Sequence, residues 1–507
     1  MAETKTSRDQ IRQNLTQTVI GRPLIDRLQA SADPDAIYDV IIDPNLDFSG
    51  GREKACERIR DLIAAAKGQN DPDPRVRSDS AHPYVFATLS GRAIREIVIR
   101  DASRTAGSPS QIENVQGKQR LSSGQRAIYR IWEDMEVRAF LTNSVATVKA
   151  DAARMAFSAD GKDIVWAVID SGIDQTHPHF GLFGNLQLTA PLAHKDFTVD
   201  GESPLTDEMG HGTHVAGILA GAMEAEKNPQ AVFRTRDAES GTLASVVRPL
   251  GVPIRGMAPR CRLISLKVLG ADGGGKASGV IQALAEVQKL NDFGRRIVVH
   301  GVNLSLGYPF MPEWFACGQS PLCVEVNRLV KSGVVVVVAA GNSGYGNIGA
   351  TSGLVTAAGL PQTINDPGNA ENAITVGSTH RDMPHTYGVS YFSSKGPTGD
   401  GRLKPDLVAP GERILSCAAG IARDGAKDGL PDSEKTNPFQ YLEDSGTSMA
   451  APHVSGVIAA FLSIRREYIG QPEAVKKIFM DSATDLKRDR TFQGQGLIDL
   501  MRAIQAV

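Results

Sequence analysis

GVVVVVAA at residues 333–340, running on into GNSG at 341–344, is apolar at every position from Val334 to Ala340 and rich in β-branched side chains. A strand with one wet face alternates apolar and polar residues. A strand that is apolar throughout is covered on both faces, as in a parallel sheet held between layers of helices. Three more segments share this texture: IVWAVI (164–169), RLISLKVL (262–269) and RIVVHGVNLSL (296–306). THVAGILAGAMEA (213–225) and ASGVIQALAEVQKL (277–290) lie between them and read as the covering helices. The expected architecture is a three-layer α/β domain with a mostly parallel sheet. Ligands of such a sheet sit at the carboxyl ends of its strands.

Upstream the pattern is different. Residues 1–37 read as a polar amino-terminal extension with helical leanings around Arg8 to Leu28, and carry no assigned chemistry. YDVIID (38–43), YVFATL (84–89) and AIYRIWED (127–134) read as strands. Between them, GREKACERIRDLIAAAKG (51–68) places Ala55, Ile59, Leu62, Ile63 and Ala66 on one helical face, and SGRAIREIVI (90–99) forms a second helix. These elements compose a small α+β domain, with polar loops at 68–82 and 103–125.

The 507 residues are 41% apolar and 22% charged, a composition for a soluble protein with one large core or two. Lys plus Arg number 55 against 57 Asp plus Glu. Such a balance creates no field that would draw the chain to nucleic acid or an anionic membrane. Five cysteines, an odd and scattered set, do not make a disulfide framework, and Cys317 and Cys323 read as free thiols. No run of 18 apolar residues occurs, so no membrane span is expected. The first twenty residues lack the pattern of an export signal, which points to the cytoplasm, or to secretion if a signal precedes this sequence.

Four motifs carry chemistry. Asp170 follows the first apolar strand in VIDSGID (168–174); alone, it would pass for an ordinary turn residue. His211 stands between two glycines in GHGTHVAG (210–217), where a substrate backbone can come close. His211 and His214 are three apart without HExxH, so no metal is assigned to them. Ser448 opens a helix of small residues in SGTSMAAPHVSG (445–456), where a serine could also be a simple N-cap. A hydroxyl becomes a nucleophile only beside a base, and the base needs a buried carboxylate to hold its tautomer. Asn342, directly after GVVVVVAA, offers a side-chain amide for an oxygen that becomes negative during acyl transfer. The GxSxG elbow and Ser, Asp, His order of an α/β-hydrolase esterase are not present.

These four motifs, in the order Asp, His, Asn, Ser, resemble those of the subtilisin-like serine peptidases. MAPRCRLISLKVLGADGGG (257–275), VNLSLG (302–307), FSSKGP (392–397) and LKPDLVAPG (403–411) match the same family, so the resemblance covers about residues 160 to 465. It implies a subtilisin-like catalytic domain at 146–507. In it Asp170 orients His211, His211 acts as base and then acid, Ser448 attacks, and Asn342 binds the oxyanion. It implies a polypeptide substrate lying as an added strand between Gly273, Gly274, Gly275 and Ser305, Leu306, Gly307. Ala339, Ala340 and Gly341 are expected to help wall the pocket before the cut. The small domain resembles the family's ferredoxin-like propeptide, an intramolecular inhibitor. Residues 38–145 are then the inhibitor-like domain and linker, with MEVRAFLTNSVATVKADAARMAF (135–157) an extended link self-cleaved within residues 139–145.

Three segments depart from the family pattern: 221–256, 308–323 and 418–444. The implied chemistry requires no cofactor; structural calcium is possible, but the first segment replaces the loop that often binds it, which puts that site in doubt. The second carries Phe310, Trp314 and Phe315, which read either as core residues or as a peptide grip. The third, 418–444, precedes the nucleophile and is rich in Gly, Asp and Lys; long loops like these three are lids, docking sites or disordered segments. The expected activity is that of a serine endopeptidase made as a zymogen. The alternative is a catalytically inactive peptide-binding or regulatory module.

Overall fold

A computed structural model describes residues 19–66, 84–103, 113–115, 118–120, 126–133, 143–198, 201, 203–236, 243–313, 315–349 and 355–507. The chain divides into two compact units, Met1–Ala139 and Phe140–Val507.

In the first unit, Ile37–Pro44 is the central strand of an antiparallel sheet, flanked by Val85–Ser90 and Ile128–Glu133. Its inward side chains Val40 and Ile42 are fully buried, and they pack with Ile59, Leu62 and Ile63 of Gly51–Ala65 and Ile94 and Ile97 of Gly91–Ser103. The expected boundary after residue 37 falls too late. Arg22–Ala30 is a helix whose Leu24 and Leu28 enter this same core, and Ile20 bridges in parallel to Ile131. Those leucines recur at i and i+4 among charged neighbours, so burial of a narrow stripe orders a segment that is polar on average.

The second unit is built on a seven-stranded sheet in the order Leu407–Glu412, Ile374–His380, Val335–Ala339, Gly301–Leu304, Val165–Asp170, Arg262–Lys267, Lys195–Asp196. Every pairing within it is parallel. Successive valines serve opposite cores. Val335 and Val337 pack with the helices His211–Leu219 and Thr447–Ile464, whereas Val334, Val336 and Val338 pack with Ala277–Leu290 and Pro321–Lys331. This is the three-layer α/β fold that the apolar strands imply. Thr447–Ile464 is long and apolar enough to cross a membrane, but here it is a buried core helix.

Several segments differ from expectation. The strand expected from Arg296 begins only at Gly301, because the buried Asn291 amide takes over the backbone groups before it. Its Oδ1 accepts from Val298 and Val299, and its Nδ2 donates to the Val299 carbonyl. The link after residue 142 is not extended: Asn143–Thr147 and Ala150–Phe157 are helical, and Val145, Val148 and Ala153 enter the large core. Segment 221–256 forms a hairpin, Gln230–Arg236 with Leu243–Pro249, that adds to Tyr441–Asp444 and Ile414–Cys417 in a four-stranded sheet. Segment 418–444 thus supplies a strand, and also the helix Gly420–Asp428. Phe310 and Phe315 are half-buried, while Trp314 lies outside the described residues.

Gly301 pairs with Trp166 across two neighbouring strands, and a methyl at Gly301 would fall 2.3 Å from the indole ring. Gly301→Ala should therefore overpack the sheet at a cost of about 1–3 kcal/mol. A lowered thermal midpoint by circular dichroism is the expected result.

Candidate active site

The strand Val165–Asp170 ends by delivering a carboxylate into the interior, where Asp170 is 1% exposed. A buried carboxylate needs donors. Its Oδ1 accepts from the Ser171 backbone N–H at 2.8 Å and lies 2.7 Å from His211 Nδ1. Because a carboxylate only accepts, Nδ1 carries the proton and Nε2 is the lone-pair nitrogen of the neutral ring. His211 is the first residue of its helix and its side chain is 17% exposed.

A second buried carboxylate fastens this corner. Asp207 Oδ1 accepts from Gly210 N–H at 2.8 Å and from Ser171 Oγ at 2.8 Å, while its Oδ2 accepts from Thr213 N–H at 2.7 Å and Thr213 Oγ1 at 2.6 Å. The carboxylate thereby satisfies N–H groups at the start of the His211 helix that have no partner within the helix, and favours its positive end. The glycines of the two motifs permit the close approach. Gly172 has φ +108°, and a methyl there would fall 2.1 Å from the Thr206 carbonyl oxygen. One at Gly212 would fall 2.2 Å from the Gly172 carbonyl oxygen. The other histidine of the motif faces away, with Nε2 3.3 Å from the Leu442 carbonyl.

Ser448 is the second residue of Thr447–Ile464 and is partly exposed. Its Oγ donates to the Ser305 carbonyl at 3.0 Å, and Ser305 Oγ donates back to the Ser448 carbonyl at 2.8 Å. Behind them Asn303 Nδ2 donates to Ser305 Oγ and Ser455 Oγ donates to Asn303 Oδ1, both at 2.9 Å. Asn342 is held from the same helix: its Oδ1 accepts from Thr447 N–H at 2.9 Å and Thr447 Oγ1 at 3.1 Å. With the oxygen occupied, the amide presents its N–H groups outward from an exposed position beside the start of the Ser448 helix.

The residues expected at the substrate edges divide. Gly274 and Gly275 are exposed in a turn where Gly274 accepts from Gly270 N–H at 2.9 Å, with Gly273 partly covered by Met209. Ser305 is buried, Leu306 packs partly into the core and Gly307 is exposed. Ala339 and Ala340 are buried, and the Ala340 backbone bonds Val376 and Asn365 on either side. Of the three residues expected to help wall the pocket before the cut, Ala339 and Ala340 are buried behind the site and Gly341 is partly exposed. Asp207, Asn303 and Thr447 were not singled out by sequence. Asp207 stands in an unremarkable loop, TDEMG, and its role comes from folding alone.

Burial opposes charge on His211, but the Asp170 carboxylate, with Asp444 and Asp207 further off, outweighs it and raises the pKa above 6.5. In ¹⁵N-histidine NMR, His211 should titrate above 6.5 in the wild type. In Asp170→Asn the main counterweight to burial is lost and only Asp444 and Asp207 remain, so the midpoint should fall.

A family model described as the Subtilase family matches residues 161–497. Serine protease AprX of Bacillus subtilis (strain 168) is 29% identical over 382 residues, which cover 74% of this chain and 74% of that protein. The major intracellular serine protease of the same strain is 29% identical over 348 residues, covering 67% and 82% respectively. Subtilisin E, also from that strain, is 27% identical over 345 residues, covering 68% and 66%. The matched span takes in the central parallel strands and all four motif segments, and the chain belongs to the Subtilase family.

Proposed function

We propose that this chain is a serine endopeptidase that hydrolyses polypeptides through an acyl-enzyme, with Asp170, His211 and Ser448 as its triad and Asn342 as an oxyanion donor. The observation that carries this reading is the 2.7 Å Asp170–His211 contact, which fixes the tautomer with Nε2 as acceptor. The Ser448 hydroxyl rotates from the Ser305 carbonyl toward Nε2 and gives up its proton there. Its oxygen bonds to the scissile carbonyl carbon, and the π electrons move onto the carbonyl oxygen. Asn342 Nδ2 and the Ser448 backbone N–H then donate to that oxyanion. Collapse of the intermediate expels the amine, which takes the proton from His211 and leaves an ester on Ser448. Water, deprotonated by the same imidazole, attacks the ester; the second intermediate collapses, Ser448 Oγ takes the proton back from His211, and the carboxylate product leaves. Removing one such side-chain donor in subtilisin costs about 10²–10³-fold in kcat.

The substrate strand is assigned to the edges at Gly273, Gly274 and Gly275 and at Ser305, Leu306 and Gly307. The amino-terminal unit is assigned as the removable inhibitor of this zymogen. Its cut is placed before Asn143, because Asn143–Thr147 is helical and Val145 is buried, and a protease takes its substrate extended and accessible. In segment 221–256 the described strands Gln230–Arg236 and Leu243–Pro249 pair with each other, so the carbonyls in that ladder are not available to calcium. Among the described residues no three His, Cys, Asp or Glu side chains gather into a metal site.

Intact mass spectrometry of wild type beside Ser448→Ala tests the zymogen assignment. Wild type should lose a fragment ending before residue 143 and cut a denatured protein substrate at internal bonds, while Ser448→Ala stays full length and inactive. Full-length wild type that is active would mark a permanent accessory domain, and wild type with no activity would favour the inactive module. Because the base must be neutral and its pKa is raised, kcat/KM should climb with pH through a midpoint above 6.5. A flat profile from about pH 5 to pH 9 would remove His211 from that role.

A further inference from the structure

The motif FSSKGP has no part in the chemistry above, yet it grips the turn that carries Asn342. Ser394 N–H donates to the Gly341 carbonyl at 2.8 Å, immediately before Asn342. Immediately after it, Ser343 N–H donates to Ser394 Oγ at 3.1 Å and Gly344 N–H donates to the Phe392 carbonyl at 2.9 Å. Lys395 closes the clamp: its Nζ donates to the carbonyls of Gly344 at 2.7 Å, Tyr391 at 2.9 Å and Ser393 at 3.2 Å.

This ammonium is unusual for a buried charge. Lys395 is 5% exposed, and its three donors meet three neutral carbonyls, with the Phe492 ring centroid 5.3 Å away. The other enclosed lysines of the domain face carboxylates: Lys404 meets Asp406 at 2.5 Å and Lys267 meets Glu208 at 2.5 Å. Burying a cation without a counter-charge is costly. Three charge-assisted hydrogen bonds offset that cost only if all three carbonyls stay in place. The ammonium is therefore a gauge of geometry, and one arm of the gauge is the Gly344 carbonyl, two residues past Asn342.

We infer that Lys395 is a positioning residue for the reaction: it locks the 341–344 turn through Gly344, so that the Asn342 amide is aimed before substrate arrives. The inference rests on the oxyanion role proposed for Asn342. Two anchors then define that amide, Thr447 on its oxygen and the Lys395 clamp on its backbone. An oxyanion donor that is preorganised lowers the barrier without tightening ground-state binding, so the effect of loosening it falls on kcat and leaves KM in place.

Lys395→Met keeps the length and removes every donor. In the mature enzyme acting on a peptide amide, it should lower kcat roughly tenfold with KM unchanged, a part of the about 10²–10³-fold expected of the donor itself. In an Asn342→Ala background the same substitution should cause little further loss. A merely structural lysine would give losses that multiply in the double variant, and an unaffected kcat or a changed KM would likewise overturn the inference. Should Lys395→Met not yield folded protein, Ser394→Ala carries the same cycle, because it deletes the acceptor of Ser343 N–H. Inactive wild type would overturn the functional reading itself, whereas active wild type with a non-coupled Lys395 overturns this inference alone.

Discussion

A carboxylate removed from water at the end of a strand must be given donors, and Asp170 is the point from which the rest of the site takes its geometry. The parallel sheet places it there: Val165 to Ile169 alternate between two apolar cores, and the first polar residue after them has nowhere to go but the strand end. Ser171 and His211 supply the donors. His211 can reach only because Gly172 and Gly212 let the loop and the helix start meet at a distance that side chains would forbid. Asp207 then ties Ser171, Gly210 and Thr213 into one corner, so the orientation of the imidazole is inherited from backbone packing and not from the histidine alone.

The other half of the site hangs from the Ser448 helix. Its Thr447 fixes the oxygen of Asn342, and its Ser448 exchanges two hydrogen bonds with Ser305, the residue after the strand Gly301–Leu304. Nucleophile and amide donor are thus referred to the same helix end, while the FSSK segment holds the amide's own turn from the other side. The proposed chemistry needs this shared reference, because a donor and a nucleophile that moved independently would not meet one carbonyl group.

Much of this was legible in the sequence. Strands apolar on both faces announced the layered fold, and the four motifs named Asp170, His211, Ser448 and Asn342 by residue type and position. What escaped reading depended on contacts between distant segments. Asp207 and Asn303 are ordinary loop or strand residues until the fold brings Ser171 and Ser455 to them. Segment 221–256 departs from the family pattern and shows no clean alternation, since AVF and VV are consecutive apolar residues; what makes it a strand pair is a partner, Tyr441–Asp444, some two hundred residues away. The burial of Ala339 and Ala340 follows from the same valine run that decides the fold. Leu24 and Leu28 were lost in a charged segment because two side chains are too few to lift its average character.

Labelling of mature protein with a fluorophosphonate, followed by peptide mapping, tests the central claim most directly. The account predicts a single adduct on Ser448, formed far more slowly in His211→Ala. An unmodified Ser448 in folded, mature protein, or equal labelling rates with and without His211, would contradict it.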